Sequence, residues 1–182
     1  MERINLHLKG QAFSSDKKMG QKIAKIKRSM LFYAIKQRVK LLSEEGRDID
    51  YDPNGYPLIF YAIYFKSYRS CKYLLENGAN VNVETSKHLM PIDIAVHFNA
   101  PIILKLLIDY GANIDGQGDN YSELHMNPLD RAMELGLPFI VKILIDNGAN
   151  YHKYLLHSVL ENEKEFVEIL LENGADVNLP KA

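Results

Sequence analysis

Six histidines, one cysteine and 23 acidic side chains are the groups in this 182-residue sequence that could carry chemistry. A metal site needs several of them at ligand spacing. His7, His88, His97, His125, His152 and His157 do not pair with cysteine at such a spacing. His152 and His157 stand five residues apart in a turn-to-helix segment, and zinc there would need further ligands. The run Asp115-x-Gln117-x-Asp119-Asn120 places oxygen side chains as a calcium loop does, but lacks that loop's glycine and closing glutamate. It reads as a polar hairpin tip. Cys71 cannot form an internal disulfide, and it reads as a small buried hydrophobe in a reducing compartment. There is no Gly-x-Gly-x-x-Gly, no Walker-type loop, no Gly-x-Ser-x-Gly and no His-Glu-x-x-His. Carboxylates on exposed helices and tips have nothing to shift their pKa, and general acid–base work requires that shift. The sequence is therefore read as a non-enzyme with no metal, no cofactor and no small-molecule substrate.

The elements that would position these residues are repeated. Two apolar residues, three spacers and Gly-Ala-Asn/Asp recur as Leu74-Leu75…Gly78-Ala79-Asn80, Leu107-Ile108…Gly111-Ala112-Asn113, Leu144-Ile145…Gly148-Ala149-Asn150 and Leu170-Leu171…Gly174-Ala175-Asp176. A weaker copy is Leu41-Leu42…Gly46-Arg47-Asp48. Spacings between the glycines are 32, 33, 37 and 26 residues. A second phrase precedes three of them, at Pro57-Leu58, Pro91-Ile92 and Pro128-Leu129. Proline suits the first helical position, because the N–H it lacks would have no partner there. Glycine just past an apolar-periodic helix supplies the left-handed cap. Outer helices are marked by Ile103/Leu106/Leu107, Ile140/Ile143/Leu144 and Phe166/Ile169/Leu170 at helical spacing. Each unit alone leaves an apolar face bare, so neighbours must stack.

Both phrases in register at a period near 33 residues resemble the ankyrin repeat over about residues 29–182. The resemblance implies an all-α solenoid with short β-hairpin turns, about four to five repeats and an N-terminal capping helix. The expected division is a basic segment and cap over 1–28 and a repeat domain over 29–182, with repeats near 29–50, 51–82, 83–115, 116–150 and 151–182. Pro57 lies 21 residues before Gly78, where the other two intervals are 20, so an extra residue is expected between the helices of that repeat. The family's Thr-Pro-Leu-His opening is never complete; Asn127, with Asp93 and Asp130, could replace part of its hydrogen bonding. The long interval lengthens one finger over 116–123, and the short one removes the last hairpin. In the first repeat, Ser29–Ile35 reads as an inner helix, fused to or irregularly joined with the outer one.

Net charge is −1, but residues 1–47 carry +8 and residues 48–182 carry −9. At 47% hydrophobic and 25% charged, the chain reads as soluble and globular. It has no apolar run long enough for a membrane span and no visible secretory signal, so a cytoplasmic location is expected. Met19, Ile23, Ile26 and Met30 share one side of a helix ringed by Lys17, Lys18, Lys22, Lys25, Lys27 and Arg28. A cap whose stripe covers the first repeat is preferred there to a nucleic-acid or membrane element.

The resemblance places a partner on the concave side, against inner helices and finger tips. Counting from the prolines gives Phe60, Ile94, Arg131 and His157 at one level, and Tyr64, Phe98, Leu135 and Glu161 at the next. Tip residues are Asp52, Asn54 and Tyr56, then Glu84, Lys87 and His88, then Asp119, Tyr121 and Glu123. Seven aromatics crowd residues 56–73, and Tyr64 and Tyr68 either point outward as interface anchors or are rotated inward by the extra residue to fill a wider gap, with Phe65 left in the core. The expected function is non-catalytic binding of one protein partner by a chain monomeric when unbound. Size and architecture also resemble the immunity proteins that bacteria encode beside secreted toxins, and an acidic body would suit a basic toxin. The alternatives are an effector or host-range adaptor recruiting a host protein, and a binder of nucleic acid or anionic membrane through the basic helix.

Overall fold

The computed structural model describes residues 17–51, 56–85, 88–116 and 127–176; the side chains of 17–20 fall outside the description. Helix α1 spans Lys17–Glu44. Among the described residues four antiparallel pairs follow, each with a seven-residue inner and a nine-residue outer helix. They are α2 (Leu58–Tyr64) with α3 (Tyr68–Glu76), α4 (Pro91–His97) with α5 (Pro101–Asp109), α6 (Pro128–Glu134) with α7 (Pro138–Asp146), and α8 (Tyr154–Leu160) with α9 (Lys164–Glu172). No strand occurs among the described residues. This is the all-α repeat solenoid that the sequence implies.

The Gly-Ala phrase is a helix-ending device. Gly78, Gly111, Gly148 and Gly174 all have φ between 84° and 96°, a region closed to most side chains. The alanine after each donates its N–H back to the carbonyl five residues earlier, as in Ala79 to Leu74 (3.0 Å) and Ala112 to Leu107 (2.9 Å). These alanines are buried, which is why the residue after the glycine is small and apolar. Inner helices end in the same way at Lys66, Asn99, Gly136 and Asn162, all left-handed, and two residues later the outer helix begins.

The core runs as columns along the stack. Ala62, Ala95, Ala132 and Ser158 are each 0% exposed, and small residues there let neighbouring inner helices approach closely. Leu74, Leu107, Leu144 and Leu170 form the matching column of the outer helices, also at 0%. Inner packs on inner and outer on outer through the first three pairs. The last pair differs: α9 packs on α7, while α8 makes no comparable contact with α6. The short interval before α8 explains this, and Asn127 Nδ2 donating to the Tyr154 hydroxyl (3.0 Å) ties α8 in instead.

Two expectations are corrected. Helix α1 runs unbroken through residue 28, so the expected boundary between cap and repeats falls inside it, and Ser29–Ile35 is fused to the outer helix. The inner-to-outer turn would fall at Ala34, the register equivalent of Lys66 and Asn99. Alanine is the best helix former and gains nothing from positive φ, so the helix continues. Secondly, of the Met19/Ile23/Ile26/Met30 stripe, Ile26 and Met30 do not cover the first repeat but are 50% and 68% exposed, and the Met19 side chain lies outside the description. Ile35 and Leu42, fully buried, pack there with half-buried Leu31 and Val39.

Candidate functional site

The finger bases are fixed by one bond repeated along the stack. The Asp50 carboxylate accepts the Asn80 backbone N–H at 2.8 Å, the Asn82 side-chain oxygen accepts that of Asn113 at 2.8 Å, and the Asp115 carboxylate accepts that of Asn150 at 3.1 Å. Asn82 also donates from Nδ2 to the Gly111 carbonyl. This is the reason for the second Asn or Asp at Asp50, Asn82 and Asp115: each crosses to the next repeat. His152 stands at that position in the shortened fourth turn, and there the Tyr151 hydroxyl donates to the Asn173 carbonyl instead. Burial pushes the Asp50 carboxyl up, against the lowering effect of the Asn80 N–H.

Beyond its base, the finger after α3 is held by Thr85. Its buried hydroxyl accepts the Leu89 N–H (3.2 Å), and its own N–H donates to the Leu89 carbonyl (3.0 Å). Glu84 and His88 are left at the exposed tip, 3.3 Å apart, with His88 in the left-handed region. Asp52, Asn54, Lys87, Asp119, Tyr121 and Glu123, with the lengthened finger over 117–123, lie outside the described residues. Tyr56 is half-buried and meets Phe60 edge-on at 6.4 Å.

The inner helices need a change of register. Pro57 is the residue before α2, not its first turn, and Leu58 stands where Pro91 and Pro128 stand. Leu58, Pro91, Pro128 and Tyr154 each lie 20 residues before the closing glycine. The extra residue therefore precedes the helix, and α2 and α3 are joined by three residues like every other pair. Phe60 thus falls at the level of Asp93 and Asp130, and Tyr61 at the level of Ile94, Arg131 and His157. Phe60 and Ile94 do not face a partner: they are 5% and 4% exposed and belong to the apolar core. An aromatic and an aliphatic side chain at the groove between inner helices leave water more favourably than they face it.

What does reach the surface is an aromatic group across two repeats. Tyr64 meets Phe65 and Phe98 edge-on, both at 5.1 Å, and Phe98 meets His97 at 5.0 Å. Tyr64, Phe65 and Phe98 are all half-buried, so Phe65 is not the core residue expected. Lys66 Nζ reaches across to the Asn99 carbonyl at 3.2 Å, joining the same two turns. The exposed Leu135 continues the Phe65/Phe98 level into the third pair. Tyr68 is exposed, but it begins the outer helix α3. Arg131 pairs with Glu134 at 2.9 Å, and His157 and Glu161 are exposed on and just after α8. Counting back from the glycines instead of forward from the prolines would have put Tyr61 in the place of Phe60 and Phe65 in the place of Tyr64.

Burial pushes the Cys71 thiol up to about 12 and also raises the Tyr154 hydroxyl, whose partner is Asn127. Among the described residues, no three His, Cys, Asp or Glu side chains are grouped to hold a metal ion. No described helix is long and apolar enough to cross a membrane. The arrangement offers contact surface: shallow, aromatic, and rimmed by charges.

The family model for ankyrin repeats (3 copies) matches residues 4–85 and 94–181. No curated protein matches the chain. Paired short helices, Gly-Ala caps and the bonded finger bases agree with the matched segments, and the chain belongs to the ankyrin-repeat family of protein–protein interaction modules.

Proposed function

We propose that the chain acts without catalysis, holding one protein partner against the solvent side of its inner helices and its fingers. The observation that carries this is the Tyr64–Phe65–Phe98 group, half out of water across two repeats and backed by a rigid stack. Rings that are partly desolvated already, and held edge-on, give contact area with little ordering to be done on binding. His97, Arg131 and Glu134 supply polar specificity beside them, and Glu84 with His88 does so at the finger tip. Cytosolic residence goes with this reading, since a buried unpaired thiol suits a reducing compartment.

The sharper form is an inhibitor that neutralises a secreted bacterial toxin by masking its active site. The −9 charge of residues 48–182 supports a basic target. The test is co-expression with the product of the neighbouring gene. Protection and a co-purifying complex are expected, and both should be lost in Tyr64→Ala with Leu135→Lys. A complex unaffected by those two substitutions would move the binding face elsewhere. A complex without protection would leave the binding module and remove the inhibitor.

A further inference from the structure

Helix α1 has two apolar sides. Leu31, Ile35, Val39 and Leu42 pack on the first helix pair. At about 100° per residue, Ile23, Ile26, Met30 and Tyr33 lie on the side roughly opposite. Ile26, Met30 and Tyr33 are 50%, 68% and 66% exposed, facing away from the repeats at one end of the stack. Residues 17–43 contain nine basic side chains and no acidic one.

The other end of the described stack has the complementary character. Val159 stands at the level of Ile63, Val96 and Met133, all buried, and Leu171 at the level of buried Leu75 and Ile145 and half-buried Ile108. Those are positions that the next repeat covers. Here Leu156, Val159, Leu160 and Leu171 are 48%, 54%, 72% and 45% exposed. Residues 151–176 carry six acidic side chains and two basic ones, with Glu161, Glu165, Glu168 and Glu172 all exposed around the leucines.

We propose that copies of this chain associate head to tail, the free stripe of α1 in one copy seating on the α8–α9 face of the next. Each face has an apolar centre with a charged surround, and the charges are opposite. Like ends repel, so a symmetric contact between two α1 stripes or two α8–α9 faces is disfavoured, while the heterologous one is steered. The α8–α9 face is also built to be stacked upon, since Val159 and Leu171 occupy positions at which earlier repeats are covered by a neighbour. A contact of this kind leaves one face of each type free, so it propagates rather than closes. The occupant of the α1 stripe is then a protein face of known sequence, not a lipid surface or a nucleic acid.

The experiment measures mass by sedimentation of the full chain over a hundredfold concentration range, at low and high salt. Mass should rise with concentration and fall as salt screens the charges. Two variants then separate the faces: Ile26→Gln with Met30→Gln, and Val159→Gln with Leu160→Gln. Each alone should stay at the mass of one chain with an unchanged circular-dichroism melt. Mixed in equal amounts, they should form a dimer and nothing larger, because each supplies the face the other lacks. A wild-type chain that stays single throughout overturns the proposal, as does a mixture that stays single. Binding of the single wild-type chain to phosphatidylserine vesicles, abolished by Ile26→Gln with Met30→Gln, would assign the stripe to membrane and equally overturn it. If a Gln pair fails to fold, Lys22→Glu with Lys36→Glu reads the same contact by charge, and association unchanged by it overturns the proposal.

Discussion

The Asp50 carboxylate accepts the backbone N–H of Asn80, thirty residues away, at 2.8 Å, and so fastens the turn after α1 to the turn after α3. The same bond recurs from Asn82 to Asn113 and from Asp115 to Asn150. In a solenoid, stability is close to a sum of units and nearest-neighbour interfaces. These bonds belong to the interface part. They are the sequence-specific part of a contact that is otherwise apolar packing.

Asn82 is the most connected of the three, since it also donates to the Gly111 carbonyl. Asn82→Ala removes both cross-repeat bonds and leaves the Asn113 N–H without its partner. A loss of about 1–3 kcal/mol is expected. Urea unfolding should show it, together with a shallower transition as the first and second pairs uncouple. A full-strength, equally steep transition in the variant would mean that apolar packing alone couples the repeats.

Asp50 also sets a pH dependence of unusual sign for a carboxylate. Burial raises its folded-state pKa above the unfolded value. The folded state then binds more protons than the unfolded one between the usual carboxylate value, about 4, and the raised value, so this group's contribution to stability falls as pH rises through that window. Asp50→Asn keeps an acceptor oxygen and removes the charge. Its stability, measured by urea midpoints at steps from pH 4 to pH 7, should decline less with rising pH than wild type. Parallel profiles would show that Asp50 is not desolvated enough to matter.

Cys71 is 0% exposed and its thiol is pushed up to about 12. Thiolate is the reactive form, so neither access nor ionisation favours attack in the folded chain. Ellman's reagent at pH 8 should leave the native protein unlabelled and react with one thiol per chain in denaturant. The labelling rate across a urea series should follow the opening of α3. Prompt native labelling would put Cys71 on the surface.

The repeat architecture was legible because its two phrases carry backbone physics that survives substitution. A glycine at positive φ closes every outer helix, and a buried alanine follows it after α3, α5, α7 and α9, so the two mark register four times. Proline is only permitted at a helix start, never required, and Pro57 shows the consequence: it slid one residue outward, and a count from it misplaced Phe60. The fused α1 was less legible. It turns on Ala34, a residue that signals helix only when compared with Lys66, Asn99 and Gly136 at the same level. The two-sided character of α1 was visible in the spacing, but which stripe packs depends on the shape of α2 and α3. Charge could not decide it, because basic side chains flank both stripes.

Phe60 and Tyr64 should therefore separate core from contact surface. They are one helical turn apart on α2, yet Phe60 is 5% exposed while Tyr64 is half out of water against Phe65 and Phe98. Phe60→Ala opens a cavity between α2 and its neighbours, and a loss of about 3–5 kcal/mol is expected. That is a large share of the roughly 5–15 kcal/mol that holds a domain of ordinary stability together. Tyr64→Ala gives up edge-on ring contacts worth about 0.5–1.5 kcal/mol each and partial burial, so its melting temperature should drop by clearly less. The order of effects reverses for a bound partner. Tyr64→Ala should weaken the complex out of proportion to its melting shift, whereas Phe60→Ala should do so only as far as it unfolds the chain. Equal melting losses from the two would place Tyr64 in the core and remove the aromatic group as the anchor of the binding face.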